Sequence, residues 1–481
     1  MSDSALQFYL GDPSRRGPEP AGGFSGAAGG AACGDLARVS IAIEAGRVTA
    51  ATFDAEGCAA TRAACAAAAE LAEGEPVLDA ARIGSERIDA ALGGLGPPMR
   101  HAAGLACDAL HRALSAEVSS GLALAEPSPD RALVAMSGGV DSATAALLER
   151  DAGHEVAAVT LKLWADRETD GARSCCSPEA VVSARELAHS LGLPHFTLDL
   201  EQRFRRDVVG KFVSGHRAGR TPNPCVICNG EVRIEAMIEL AGRLGASALV
   251  TGHYARVVDD GDGPLLAAAA DPAKDQSYML SALAPELLDR LRFPLAELRK
   301  PEVRAIAQRA GLPVARKRES QDLCFLAGQG KRDFLRRHAG LRDREGDLLD
   351  PAGRRLGRHR GHHHFTVGQR RGIGVASAEP LFVLATDAGS NTVTVGSRAE
   401  LATRTVTVCD AVLHRPGDGV DSVRLRYRSK PIRCSPVELG AGAHRRLELE
   451  LAEPFAAAAP GQVASLIRGE AIVGHGTIAA A

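Results

Sequence analysis

The amino-acid sequence predicts a multidomain protein: an N-terminal α+β module, an α/β domain built on a parallel sheet, a small basic central domain and a C-terminal β-barrel. Three patterns predict it. Strand and helix signals alternate from Arg131 to about Cys324, which implies parallel pairing with helices on both faces of the sheet. From Leu381 onward short strand signals separated by turn residues dominate, the pattern of a small barrel. Before Leu122, one hairpin signal and two helical stretches form a separate unit. The corresponding spans are 1–122 for the N-terminal module, 123–130 for a linker, 131–325 for the α/β domain, 326–385 for the central domain and 386–481 for the barrel.

Taken in order, Gly17 to Gly34 is rich in Gly, Ala and Pro and reads as a loop. Leu36 to Phe53 alternates apolar and polar residues around Glu44-Ala-Gly46, which predicts a hairpin. Cys58 to Leu71 and Arg100 to Ala116 read as helices, with a Gly/Pro break between them at Gly93 to Pro98. Ser119 to Asp130 reads as a linker. The α/β grammar then runs through strand Leu133–Met136, helix Ala143–Gly153, strand Val156–Leu163, helix Pro178–Gly192, strand His195–Leu200, helix Glu231–Gly245, strand Ala248–Thr251 and helix Glu302–Ala310. Beyond Lys331 the chain is basic and turn-rich. Strand signals follow at Leu381–Leu384, Thr392–Val395, Thr405–Val408, Val423–Tyr427 and Leu447–Leu451.

The chain has 481 residues, about three domains at roughly 150 residues each. Hydrophobic residues at 45% and charged residues at 24% exclude wholesale disorder, and aromatics at 4% leave Trp164 as the only Trp in mostly aliphatic cores. Net charge is 57 − 59 = −2, yet its distribution is uneven: Met1–Leu122 carries 9 basic and 15 acidic residues, whereas Lys331–Arg371 carries 12 basic and 5 acidic with five His besides. A basic surface is expected in the second half. There is no apolar run of about 20 residues and no signal-peptide pattern, so no membrane partner and a cytoplasmic location are expected. Thiols stay reduced there, which makes the eleven Cys candidates for metal or sulfur chemistry rather than disulfides.

Ala135-Met-Ser-Gly-Gly-Val-Asp-Ser142 follows an apolar strand and opens a helix. Its small residues let the backbone approach an anion, and the helix start supplies free N–H groups and the positive end of the dipole. Gly-Lys-Ser/Thr and Gly-x-Gly-x-x-Gly are both absent. The segment resembles the PP-loop of ATP pyrophosphatases, of the HUP-like class, which implies cleavage of ATP to AMP and pyrophosphate by adenylation of a carbonyl oxygen. Further on, Thr221-Pro-Asn-Pro-Cys225-Val-Ile-Cys228 places two thiols at a helix start, where thiolate is favoured. Ser320-Gln-Asp-Leu-Cys324-Phe adds a third thiol after Lys317 and Arg318.

These segments, with Cys175-Cys176-Ser-Pro-Glu-Ala, Gly219-Arg-Thr-Pro-Asn-Pro, Thr251-Gly-His-Tyr-Ala-Arg, Lys274-Asp-Gln-Ser-Tyr and Phe365-Thr-Val-Gly-Gln-Arg-Arg-Gly-Ile-Gly, are similar in type and order to the motifs of the tRNA-specific 2-thiouridylases, the MnmA family. The resemblance runs from about Arg131 to the C-terminus. It implies replacement of the 2-oxygen of a wobble uridine by sulfur, with ATP and Mg²⁺ as cofactors and tRNA as partner. It places Ala135, Met136, Ser137, Gly138, Gly139, Val140, Asp141, Ser142, Leu161 and Gly252 on ATP, with Asp141 positioning Mg²⁺ and pyrophosphate. Asn223, Pro224 and Cys225 would face the target base; His253, Lys274, Asp275 and Gln276, and in the barrel Arg426, Tyr427 and Gln462, would face tRNA. Cys228 matches the nucleophile and Cys324 the persulfide carrier. Arg354, Arg355, Arg358, Arg360, Arg370 and Arg371, with His362 to His364, form a cationic run suited to phosphates.

Some members of that family have Asp where this chain has Cys225. Cys225, Cys228 and Cys324 together provide ligands for a [4Fe–4S] cluster with one open iron. The competing reading is a persulfide on Cys324 that Cys228 resolves as a disulfide. Cys175 and Cys176 read as structural, Cys65, Cys409 and Cys434 as core residues.

In the N-terminal module, Cys33-Gly34-Asp35, Gly57-Cys58-Ala-Ala and His101-Ala-Ala-Gly-Leu-Ala-Cys107 resemble the IscU and NifU-like iron–sulfur scaffolds. Cys33, Asp35, Cys58 and His101 match the ligand positions of that family, while Ala102 stands where its third Cys would be. Cys107 lies five residues further along the helix, about 140° away, and does not substitute for it. The module holds a labile cluster, or receives sulfur from a cysteine desulfurase or other donor, or serves as a docking domain. Its fusion would raise the effective concentration of a sulfur donor at the enzyme. Two other functions fit parts of the sequence: an iron–sulfur carrier with a regulatory ATP domain, and another PP-loop ligase of the lysidine or GMP synthetase type.

Overall fold

The computed structural model describes residues 3–30, 34–118, 121–164, 166, 177–318, 323–326, 329–456 and 458–480. Cys33, Cys175 and Cys176 lie outside the described residues.

The expected hairpin forms from Leu36–Glu44 and Arg47–Glu56, turning on Ala45 and Gly46, both at positive φ as a tight two-residue turn demands. Gly17–Gly34 is not wholly a loop: Phe24–Gly29 pairs antiparallel with Leu36–Glu44 and completes a three-stranded sheet. Tertiary packing selects this strand against its weak propensity. The Arg100–Val118 helix lies so close that a Cβ on Gly26 would fall 2.1 Å from the Ala109 carbonyl oxygen, and only glycine permits the approach. Ala59–Ala72, an Ala-rich helix buried along most of its length, packs against the same layer.

The α/β domain contains a parallel sheet in the order Leu291–Arg292, Ala246–Thr251, Ser128–Ala135, Glu155–Lys162, His195–Asp199. The middle residues of its central strands are buried and mostly aliphatic, as expected for a sheet covered on both faces. The expected linker 123–130 is corrected in part. Strand pairing begins at Ser128, Leu124 is buried, and its N–H donates to the Arg243 carbonyl at 2.8 Å. The helix expected from Glu231 belongs to a longer helical run from Pro224 to Arg243, with a wide turn at Asn229–Arg233.

Past residue 325 the Lys331–Ala339 helix packs against the α/β domain rather than standing apart from it. Phe334 packs 4.9 Å from Phe325 and 5.8 Å from Trp164 between ring centroids, inside the aromatic cluster of the α/β domain. The central sheet contains Arg355–His359, Gly346–Leu349, Thr392–Gly396 and Phe382–Asp387, in that order. Its last hairpin straddles the expected boundary at 385/386, because the turn residues Gly389 and Asn391 join strands of one sheet rather than two domains. The barrel runs from Ala402 to Ile478, and a bridge between Cys434 and Leu451 brings its two edges together. A hairpin of the α/β domain, Arg256–Asp259 with Pro264–Ala267, extends the barrel sheet by pairing with Ala471–Ile478. No helix among the described residues is long and apolar enough to cross a membrane.

The largest apolar cluster is continuous from the N-terminal module (Ile83, Ile88, Leu110) to the α/β domain (Leu133, Phe196, Leu240). At this junction three imidazoles cluster, His111 and His195 buried and His189 half-buried, with His111 5.1 Å from His189 and 6.4 Å from His195. Burial pushes His111 and His195 well below the ordinary histidine range and His189 down to about 4, so all three are neutral in the fold. The unfolded chain takes up protons below about pH 6.5 where the fold does not. The junction therefore contributes its full stability above that pH and loses it progressively as pH falls toward 4. In thermal unfolding, the midpoint is expected to drop between about pH 7 and pH 5, and to drop less in His189→Gln, which keeps a donor for the Ala81 carbonyl but does not titrate.

Candidate functional site

The nucleotide loop sits at the carboxyl end of the parallel sheet. Strand Ser128–Ala135 delivers Met136 to Gly139, and helix Val140–Asp151 begins with Gly139 as its N-cap. Gly138 takes the left-handed conformation at φ 66°. The Ser142 hydroxyl closes the loop: it accepts from the Ser137 N–H at 3.1 Å and donates to the Gly139 carbonyl at 3.2 Å. Strand Ala246–Thr251 ends directly over this helix start. A Cβ on Gly252 would lie 2.7 Å from Ser142 N and 2.8 Å from the Asp141 carbonyl carbon, so the crossing depends on glycine.

These elements enclose a cavity of about 220 Å³ lined by Ala135, Met136, Ser137, Asp141, Ser142, Leu161 and Gly252 among the residues expected on ATP. Gly138, Gly139 and Val140 complete the loop between them. Thr251, the first residue of the Thr251-Gly-His-Tyr-Ala-Arg motif, also lines it, as do Val159, Thr160, Leu163 and Arg233, which no motif singled out. The donor set fits a nucleotide: a helix start with free N–H groups, a backbone cradle that a side chain would fill, and a carboxylate for a cation. Asp141 already holds a cationic group. Lys300 Nζ lies 2.6 and 2.8 Å from its two oxygens, and the Tyr254 hydroxyl donates to Oδ1 at 2.9 Å. Lys317 Nζ donates to the Gly138 carbonyl at 2.9 Å. Sequence reading missed both lysines as partners of the loop; Lys300 opens the Lys300–Arg309 helix, and its place 159 residues from Asp141 leaves no local signal.

The thiols form a second region on the same wall. Asn223 caps the Pro224–Cys228 helix, its Oδ1 accepting from Cys225 N at 3.1 Å and Val226 N at 3.3 Å. Buried Cys228 belongs to one apolar cluster with Leu163, Trp164 and Phe325, and half-buried Cys324 packs against it. Leu161 and Leu163 touch both regions: they line the nucleotide cavity and pack in this cluster. Cys225 is half-buried and lies outside that cluster. Among the described residues, Cys225, Cys228 and Cys324 do not bring three ligand atoms within 4.8 Å of one another, so they form no site for a single ion.

Residues expected on tRNA separate into three groups. The segment Arg220–Pro222 is clamped by the barrel, where Gln462 Nε2 donates to the Thr221 carbonyl at 2.6 Å and Thr221 N–H to the Pro460 carbonyl at 2.8 Å. This brings Asn223, Pro224 and Cys225 toward Arg426 and Tyr427, whose ring lies 6.3 Å from Tyr278. His253 and Gln276 instead line the nucleotide cavity; burial pushes the His253 imidazole down to about 3, so it is neutral. Lys274 is half-buried and does not line that cavity; its charge acts on Tyr427. Asp275 is corrected: it is buried, and its Oδ2 takes Arg424 Nη1 at 2.6 Å and the Ser277 hydroxyl at 3.0 Å, which ties the α/β domain to the barrel and leaves no carboxylate facing outward.

The expected cationic run is also corrected. Arg354, Arg355, Arg358, Arg360, Arg370 and Arg371 are exposed, but His362 and His363 are buried. His362 bonds Asn391 and the Arg217 carbonyl, and burial pushes His363 down to about 4. His362 and His363 are thus turned into the packing, while the six arginines of the run are the groups that stand exposed.

In the N-terminal module, Asp35, Cys58 and His101 bring one ligand atom each within 4.8 Å of one another, and this is the one such set among the described residues. Asp35 Oδ2 accepts from the Thr61 hydroxyl at 2.7 Å and from His101 Nε2 at 3.1 Å, and Oδ1 from Cys58 N at 3.0 Å. The Thr61 hydroxyl and then the Cys58 N–H hold this carboxyl well below the usual carboxylate range. Cys58 is exposed and caps the Ala59–Ala72 helix. Ala102 is buried. Cys107 faces the Ile83 carbonyl at 3.6 Å, its thiol pushed up to about 11 by burial, so it is not a ligand. The residues present fit an iron–sulfur ligand set of thiol, imidazole and carboxylate.

Fold and sites together define a PP-loop nucleotide-using enzyme fused to a NifU-like scaffold module. Domain families agree, with matches to the tRNA methyl transferase HUP domain over residues 130–328, its PRC-barrel domain over 332–397, the NifU-like N terminal domain over 2–117 and the aminomethyltransferase beta-barrel domain over 410–478. The bifunctional protein NifU/MnmA of Rubrobacter xylanophilus is 46% identical over 467 residues, 94% of this chain and 93% of that one. The tRNA-specific 2-thiouridylase MnmA of Acidithiobacillus ferrooxidans is 43% identical over 353 residues, 72% of this chain and 98% of that one. The chain belongs to the MnmA family in its bifunctional NifU/MnmA form, and is an enzyme of the sulfurtransferase class.

Two substitutions test the nucleotide site. Lys300→Met is expected to slow pyrophosphate release by about 10²-fold, with Lys300→Arg retaining part of the rate, because Asp141 loses its positioned cation. Gly252→Ala is expected to weaken ATP binding at least about tenfold in calorimetric titration, since its Cβ meets backbone rather than a movable side chain.

Proposed function

We propose that this protein, acting in the cytoplasm, uses ATP to replace the 2-oxygen of a tRNA wobble uridine with sulfur, supplied through its fused NifU-like module. The observation that carries the reading is the shared wall: Leu161 and Leu163 separate the nucleotide cavity from the Cys228–Cys324 cluster by a single layer of side chains. The nucleotide cavity and the two thiols are thereby adjoining parts of one region, which supports activation and sulfur delivery on the same bound base.

In this reading the uracil 2-oxygen attacks the α-phosphorus of ATP, and pyrophosphate leaves along the loop Ser137–Ser142. The helix start stabilises the departing charge, and Lys300 and Lys317 orient it; Asp141 would hold Mg²⁺, which would supply further neutralisation of the phosphates. The terminal sulfur of a Cys324 persulfide then attacks C2 and displaces AMP. Cys228 attacks Cys324 Sγ, the sulfur–sulfur bond breaks, and a Cys228–Cys324 disulfide forms as the thiocarbonyl is left on C2. An external thiol reductant restores both cysteines. A relay through two thiols is favoured over a cluster held by three because Cys228 and Cys324 share one apolar cluster that leaves Cys225 out.

Half-buried Cys225, beside Tyr427, faces the extruded base, which stacking on Tyr427 would hold, while buried Asn223 and Pro224 fix the turn that presents it and Arg426 follows on the barrel side. The exposed arginines of the central sheet take the tRNA backbone. A cysteine desulfurase supplies sulfur at the Cys58 side of the module.

Cys324→Ser is expected to abolish thiouridine in tRNA, read by mass spectrometry of nucleosides, while leaving tRNA-dependent pyrophosphate release within about twofold. Loss of both activities would contradict separate roles for activation and sulfur delivery. Cluster transfer with no consumption of ATP would favour the iron–sulfur carrier with a regulatory ATP domain instead.

A further inference from the structure

The Pro178–Ser190 helix has two occupied faces. Under the nucleotide loop, a Cβ on Gly138 would lie 3.8 Å from Ala184 Cβ and 3.9 Å from the Ala180 carbonyl oxygen. On the other face, Val182, Arg185, Glu186 and His189, at helical spacing i, i+3, i+4 and i+7, line a cavity of about 470 Å³. Its opposite wall comes from the N-terminal module and includes His101, a member of the Asp35–Cys58–His101 set.

The contacts around this cavity are those of a built interface. Arg185 is 5% exposed and its Nη1 lies 3.1 Å from Asp108 Oδ1, while Asp108 Oδ2 takes Arg112 at 2.7 Å. The Ala81 carbonyl accepts from His189 Nε2 at 3.1 Å and from the His195 N–H at 3.0 Å. Arg243 donates to the carbonyls of Leu122 at 2.7 Å and of Val118. One apolar cluster runs through both sides, and a long charged side chain is buried there only against a specific partner. The connecting segment has little slack, since Leu122 and Leu124 are both bonded to Arg243 before the strand starts at Ser128.

We propose that the NifU-like module is docked at a fixed position and does not swing on a tether: Arg185, His189, His195 and Arg243 form a docking surface for the scaffold, with Arg185–Asp108 as its specifying contact. The scaffold's ligand set is thereby presented to the helix that supports the nucleotide loop, and sulfur supplied by a desulfurase reaches the enzyme only from the docked arrangement. This rests on the proposed function for its sulfur step, but not for the docking itself.

The test uses the full chain. Arg185→Glu opposes the Asp108 carboxylate, and the swap Arg185→Asp with Asp108→Arg restores opposite charges. Two readouts are taken: hydrogen–deuterium exchange over 100–118 and 178–190, and thiouridine formed either from cysteine with a cysteine desulfurase or from inorganic sulfide. The single variant is expected to exchange about tenfold faster in both segments and to lose desulfurase-driven thiolation about tenfold. Sulfide-driven thiolation and tRNA-dependent pyrophosphate release stay within about twofold, and the swap recovers both losses. Should the single variant fail to fold, Asp108→Asn against the swap carries the same comparison. Unchanged exchange in the two segments overturns the docking contact; faster exchange with undiminished desulfurase-driven thiolation overturns its role in supply. If the wild-type chain forms no thiouridine from either source, the proposed function fails while the exchange result still decides the docking.

Discussion

The start of the Val140–Asp151 helix, held open at the carboxyl end of a parallel sheet, is the constraint on which the rest of the protein depends. Free N–H groups there are useful only if no side chain fills the space in front of them, and several independent pieces of chain are arranged to keep it so. Ser142 folds back to close the loop on itself. Gly252 lets the neighbouring strand end cross within backbone contact. Lys300 and Lys317 arrive from the far end of the domain to balance the carboxylate and the loop carbonyl. The surrounding strands are aliphatic and buried on both faces, which makes this rim rigid and leaves the chemistry to the loops.

Domains are joined to that rim by buried polar contacts as well as by apolar surface. Asp275 and Arg424 connect the α/β domain to the barrel, and Arg185 and Asp108 connect it to the scaffold. Each pair has lost water on at least one side, so removing one partner leaves a costly charge, whereas the geometry of the pair selects one docking arrangement over others. Buried imidazoles act differently. His111, His189 and His363 are kept neutral by burial and behave as polar packing groups with one carbonyl or amide partner each, or none. These three histidines therefore add no positive charge to the surface.

Much of this was legible beforehand. The hairpin at Leu36–Glu56, the helices after Cys58 and Arg100, the strands and helices of the α/β domain and the nucleotide loop each carry local signals, because periodicity and turn chemistry are properties of neighbouring residues. The Gly-rich strand Phe24–Gly29 was not legible: its composition argues for a loop, and only a helix lying 2.1 Å from a would-be side chain at Gly26 explains it. Packing across the domain boundaries was not legible for a related reason. Phe334 lies in a basic segment yet packs with Trp164, and Arg256–Ala267 lies in the α/β domain yet pairs with the barrel.

By itself the sequence determined the chemistry available to this protein: a PP-loop, three placed thiols, and a scaffold with Asp35, Cys58 and His101 but Ala102 in place of a third thiol. Those are identities and spacings, and folding does not change them. Tertiary structure alone decided which groups meet. It set Lys300 on Asp141 across 159 residues, turned Asp275 inward to Arg424, gathered Cys228 and Cys324 without Cys225, and seated the scaffold against the helix beneath the nucleotide loop. Such contacts depend on how whole elements pack, and a packing energy spread over many distant side chains leaves no trace in any short window of sequence.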